Sequence, residues 1–152
     1  MSGRRGAGLL CMRPMRAKLL LASASPRRRS ILESLGVAFE AVRPEVREAR
    51  YPTDARRTAR ENARRKSAWC RRKFPRHFTI AADTAVDFAG RCLAKPRDAA
   101  EAAEFLRMLS GATHVVWTAV ALAVPGARPE LTEVSSEITF RRVSEKIIRD
   151  YI

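Results

Sequence analysis

Several short stretches of this 152-residue sequence could do chemistry. The first is Ser23-Ala24-Ser25-Pro26-Arg27-Arg28. Ser25 is placed to cap a helix, and Pro26 stands at its first position, where a missing N–H does no harm. A helix start offers unpaired N–H groups and the positive end of the dipole, and both favour an anion. Ser23 adds a hydroxyl, and Arg27 and Arg28 add planar forks suited to phosphate oxygens. An ordinary capped helix with solvated arginines has the same spacing. Asp83 ends the apolar run Phe78–Ala82, which puts a carboxylate at the sheet edge where α/β proteins hold ligands. It could take a proton from water or bind Mg²⁺, and a strand-end aspartate capping a turn is the competing reading.

Three more residues join these by position. Lys95, beside the rigid Pro96, follows a hairpin-like return that could bring it near Asp83. Lys66 shares a helical stripe with Ala55, Ala59, Ala63 and Cys70, apart from the solvated Arg57, Arg60, Arg64 and Arg71. A lysine whose stem covers apolar surface gives the same pattern. Glu48, in Val46-Arg47-Glu48, has the weakest isolated signal. His114 and Trp117 read as packing residues and stay outside the site.

The elements that must position these residues alternate between strand and helix. Leu19–Ala22 reads as a buried strand, followed by a helix from Pro26 that buries Ile31, Leu32 and Leu35 and closes at Gly36. Val37–Arg43 is expected as a strand, and 54–73 as a helix capped by Thr53. Phe78–Ala82 is a strand delivering Asp83 at its end, Thr84–Phe88 continues extended, Ala89-Gly90 turns, and Arg91–Leu93 returns. Asp98 opens a helix with Glu101 as a capping box. Strands His114–Ala123 and Leu131–Arg141 follow, the second with Val134, Ile138 and Phe140 on its half-buried side. A last helix, capped by Ser144, is expected to bury Ile147, Ile148 and Tyr151.

Composition narrows the class. Apolar residues make up 46% of the chain, enough for an ordered core, and no run of ~18 apolar residues is present to span a bilayer. Cys11, Cys70 and Cys92 are scattered, as free thiols in a reducing cytoplasm would be, and two histidines are too few for a histidine-based metal cage. The formal charge of +14 is carried mostly by arginine, lysine occurring only at 18, 66, 73, 95 and 146. It supports salt-sensitive adhesion to polyanions and not a specific nucleic-acid partner, since the aromatics that stack bases are missing. Residues 1–17 read as a basic flexible tail and 18–152 as one domain.

Taken in order, these segments resemble the Maf family of nucleotide pyrophosphatases. The matching pieces are Leu20 to Arg28, Glu48, Glu61-Asn62-Ala63 with Lys66, Ala82-Asp83-Thr84, Lys95-Pro96-Arg97-Asp98, and Met108-Leu109-Ser110-Gly111 followed by His114 and Thr118. The resemblance implies an α/β fold, a mixed twisted β-sheet flanked by helices with a cleft between two lobes. It implies hydrolysis of a nucleoside triphosphate to the monophosphate and pyrophosphate with Mg²⁺ or Mn²⁺. By the same match Asp83 is the proton acceptor, Lys95 and Glu48 act beside it, and Glu48 and Asp83 hold the metal. Ser23, Arg28 and Lys66 line the phosphate pocket, while Arg27 and Thr84 are linked to base choice and favour dTTP and UTP. A homodimer is carried as a partner expectation. Ala81 stands where the family usually has glycine. The family also continues beyond Ile152 with an Asp-Lys-Ala-Gly-type segment and a substrate-contacting glutamine, so the domain is expected to be incomplete at its C-terminus. A non-catalytic nucleotide-binding or cell-division regulatory fragment is the alternative, with a basic nucleic-acid-binding module behind it.

Overall fold

A computed structural model describes residues 17–152. The expected basic tail lies outside them except for Ala17. The described chain runs β1 (Leu19–Ala22), α1 (Pro26–Ser34), β2 (Glu40–Val42), α2 (Ala55–Lys73), β3 (Phe78–Phe88) and β4 (Arg91–Leu93). It continues through α3 (Ala99–Leu109), β5 (Thr113–Ala123), β6 (Glu130–Thr139) and α4 (Glu145–Tyr151). The strands form one mixed sheet in the order β2-β1-β3-β5-β6, with β4 paired to β3. This is the helix-flanked mixed sheet expected from the sequence. No helix among the described residues is long and apolar enough to cross a membrane.

Helix α2 carries the core. Its cap is Asp54, one residue later than expected: the Asp54 carboxylate accepts the Arg57 N–H at 2.8 Å, leaving Thr53 outside the helix. The basic last turn, Arg71-Arg72-Lys73, complements the negative end of the dipole. Along the inner face Ala55, Ala59, Ala63 and Cys70 meet Ala22, Ala81, Ala85, Ala119 and Ala121 of the sheet. The centre of this contact is alanine against alanine, which permits close approach of the two backbones, and Trp69, Trp117 and Leu131 pack around it.

Strand β3 is longer than expected, and Asp83 lies at its middle. Along one edge β3 pairs with β5 from Thr79 to Asp87. Its other edge is split: β1 pairs only as far as Ala81, and β4 pairs only from Val86. Residues 82–85 lack a strand neighbour on that side.

Other expected faces are less covered. Helix α1 buries none of its residues, with Ile31 and Leu35 exposed, although Gly36 closes it at φ +66° as read from the sequence. Strand β2 forms only over 40–42, where β1 is long enough to pair with it. On β6 the inward residues are Leu131 and Glu133, whereas Val134 and Ile138 are exposed. Register explains this: Leu131 and Glu133 pair with the inward Ala121 and Ala119, so Val134 falls on the face away from α2. Only Ile148 of α4 is buried, and Ile147 and Tyr151 are exposed.

Ala63 is fully buried between helix and sheet, so Ala63→Leu should cost about 1–3 kcal/mol by overpacking, read by urea denaturation. Glu61 accepts hydrogen bonds from Arg64 and Arg65, which hold its carboxyl down at about 2 from an ordinary 4.5. A depressed carboxyl stabilises the fold above the unfolded value and loses that contribution as pH falls. The melting temperature of wild type should exceed that of Glu61→Gln above pH 4.5, with the gap closing toward about 2.

Candidate active site

The site opens where β3 loses its neighbour. Beyond Ala22 the chain turns from β1 into α1, with the Ser23 hydroxyl accepting the Ser25 N–H at 3.2 Å. Ser25 makes no side-chain cap of its own. Arg28, one turn into α1, reaches back into the split. Its Nη1 donates to the Ser23 hydroxyl at 3.1 Å and to the Ala82 carbonyl at 2.8 Å, and its Nη2 donates to Thr84 Oγ1 at 3.1 Å. Arg28 thus satisfies a β3 carbonyl in the stretch where no strand can. Thr84 in turn shares a 3.2 Å hydrogen bond with Thr118 of β5. Burial draws the Arg28 guanidinium below its ordinary value, against the opposing pull of Asp83 and Glu48.

Asp83 points toward α2, on the same side of β3 as the inward Ala81 and Ala85, and its side chain is largely buried. A buried carboxylate is costly unless paired. Two residues one turn apart on α2 supply the pairing. Lys66 Nζ donates to Asp83 Oδ1 at 2.5 Å, and Asn62 Nδ2 donates to Oδ2 at 3.1 Å. Lys66 also lies 2.9 Å from Glu48 Oε1, so one ammonium bridges two carboxylates. The hydrogen bond from Lys66 holds the Glu48 carboxyl below its usual range despite the opposing effect of partial burial, and Lys95 and Arg28 add to the lowering.

Glu48 is carried on a strap between β2 and α2 with no regular structure of its own. Side chains of α2 tie it down through its backbone. Asn62 holds the peptide groups of Ala49, and the Thr58 hydroxyl accepts the Tyr51 N–H at 3.1 Å. At the strap's end the Cys92 N–H of β4 donates to the Pro52 carbonyl at 2.7 Å.

Together these pieces enclose a cleft of about 1070 Å³. Ser23, Arg28, Glu48, Lys66, Asp83, Thr84 and Lys95 all line it. Arg27 does not: it is exposed on α1, one residue out of phase with Arg28. The cleft also takes in Asn62 and Tyr51, to which sequence reasoning gave no role. Asn62 was within reach of that reasoning, lying one helical turn before Lys66 and three residues after the inward Ala59. Tyr51 carried no such signal, because the strap has no periodicity to place it. His114 and Trp117 stay outside the cleft as read. His114 is buried edge-to-face against Phe140, and Trp117 lies under the Arg56 guanidinium.

Chemically, the cleft presents charges that suit a polyanion. Lysine and arginine cations surround two carboxylates that already converge on a single positive charge. Among the described residues no three His, Cys, Asp or Glu side chains cluster as a full metal cage.

Residues 18–152 match the family profile described as Maf-like protein. The chain is 45% identical over 139 residues to the dTTP/UTP pyrophosphatase of Salmonella typhimurium, covering 88% of this chain and 68% of that protein. It is 37% identical over 156 residues to the dTTP/UTP pyrophosphatase of Aromatoleum aromaticum, covering 93% and 75%. Among solved structures the Staphylococcus aureus Ham1 protein is similar in fold alone, with a TM-score of 0.55 at 13% identity, covering 78% of this chain and 69% of that one. With a profile matched from β1 to the last residue and relatives at this identity, the chain belongs to the Maf-like protein family.

Proposed function

We propose that this protein hydrolyses nucleoside triphosphates, dTTP and UTP foremost, to the monophosphate and pyrophosphate. The observation that carries this reading is the Lys66 ammonium held between the Glu48 and Asp83 carboxylates, in a cleft also lined by Arg28 and Lys95. The Salmonella and Aromatoleum relatives are dTTP/UTP pyrophosphatases, which supports the reaction and the pyrimidine preference.

In this reading water opens the α–β anhydride of the substrate, and Asp83 takes the proton that water gives up. Each Asp83 oxygen accepts one hydrogen bond from the protein, which leaves it a second lone pair for that proton. Lys66 and Lys95 offset charge growing on the departing pyrophosphate. Arg28 already uses three of its five N–H donors on the cleft wall, so it contributes fixed charge and two remaining donors. Thr84, on the rim, and Arg27, outside the cleft, are proposed to bear on base choice.

The donor set suits a hard divalent cation. Glu48 and Asp83 flank the Lys66 ammonium with carboxylate lone pairs it does not use, and Mg²⁺ commonly binds through one or two carboxylates plus water and substrate phosphates. When bound, the cation supplies Lewis-acid stabilisation of phosphate charge. Cys70 and Cys92 are free thiols, which supports a reducing, cytoplasmic setting.

Asp83→Asn should lower pyrophosphate release from dTTP by on the order of 10²–10⁴-fold while the protein still melts cooperatively. Wild-type rates in that variant would remove Asp83 from its role as base. EDTA should abolish turnover and excess Mg²⁺ restore it; full activity in EDTA would exclude the divalent cation.

A further inference from the structure

Asn62 is 2% exposed, and both of its amide hydrogens are used. One is donated to the Ala49 carbonyl at 3.2 Å and the other to Asp83 Oδ2 at 3.1 Å, while Oδ1 accepts the Ala49 N–H at 2.7 Å. Ala49 is the residue after Glu48. One side chain therefore clasps the peptide next to one acid and the carboxylate of the other.

Two links join the strap to β3 at this point, and they differ in kind. The Lys66 ammonium is a near-spherical charge that tolerates many arrangements of the two carboxylates around it. The Asn62 amide is planar, and its three hydrogen bonds allow one. An arriving polyphosphate, with or without a cation, competes for Lys66 and loosens the ionic link. The amide link does not pass through Lys66 and holds Asp83 by Oδ2, the oxygen Lys66 leaves free, so it persists when Lys66 is drawn away.

We propose that Asn62 is a positioning residue that fixes the Glu48 strap against Asp83 and so sets the spacing of the two carboxylates while substrate is bound. The proposal rests on the functional reading above. Steady-state pyrophosphate release from dTTP with Mg²⁺ tests it in the full chain. Asn62→Ala should lose roughly 10²-fold in kcat, as expected for misplacement by about an ångström. Its KM for dTTP should stay within about threefold of wild type, because both amide hydrogens and Oδ1 of Asn62 are already committed to Ala49 and Asp83. Asn62→Leu keeps the volume but has neither donor nor acceptor and no titratable group, and should fall as far. A kcat loss of less than about threefold in Asn62→Ala, or a loss confined to KM, overturns the proposal.

Amide exchange at Ala49, followed by NMR without nucleotide, gives a readout independent of turnover. Exchange should be slow in wild type and faster by about tenfold in Asp83→Ala, although residue 83 lies far along the chain from Ala49. Unchanged exchange in Asp83→Ala breaks the proposed coupling even if Asn62 variants fail to fold. Absence of pyrophosphate release by wild type would instead sink the functional reading, with the exchange pair still judging Asn62.

Discussion

The unpartnered stretch of β3 between Ala82 and Ala85 is the constraint on which the site depends. A strand inside a sheet normally spends its backbone groups on both neighbours. Here β1 stops and β4 has not yet begun, so one edge of the strand faces a cleft. Arg28 closes the deficit by taking the Ala82 carbonyl, and in doing so fixes a guanidinium at the cleft wall. A single backbone vacancy thus recruits the positive charge that a phosphate-bearing ligand needs. The same gap makes room for Asp83, since a β1 extended by two residues would run alongside it.

Helix α2 supplies what the strand cannot. Its alanine stripe lets it approach the sheet closely enough for two side chains, Asn62 and Lys66, to reach the carboxylate of Asp83 from opposite oxygens. Larger residues in that stripe would lift the helix and break both contacts. Packing and chemistry are therefore coupled through the smallness of Ala59 and Ala63. The buried charges are tolerated because each has a partner: leaving one acid or one lysine unpaired would carry a desolvation cost of several kcal/mol.

Some of the arginines are neutralised locally at the surface. Glu61 holds Arg64 and Arg65, Glu133 holds Arg56 and Arg60, and Glu145 holds Arg107. Exposed pairs of this kind contribute little to stability. The side of the sheet away from α2 presents Val120, Leu122, Val134 and Ile138 to the surface, although alternation along β6 put Val134 and Ile138 on its half-buried side.

Read alone, the amino-acid sequence carries the order and type of the elements, the inward stripe of α2 and the residues able to handle phosphate, because these follow from local periodicity and side-chain chemistry. It identified Ser23, Arg28, Lys66 and Lys95 by type, and left Glu48 nearly without signal. Only the tertiary structure decided that Glu48 and Asp83 share one ammonium, that Arg28 is committed to the cleft wall and that Arg27 is turned outward. It also decided which strand faces are covered, as Val134 and Ile138 show. Those outcomes depend on where β1 ends relative to β4 and on how near α2 can come to the sheet. Both are distances between segments far apart in the chain, and no local pattern of residues encodes them.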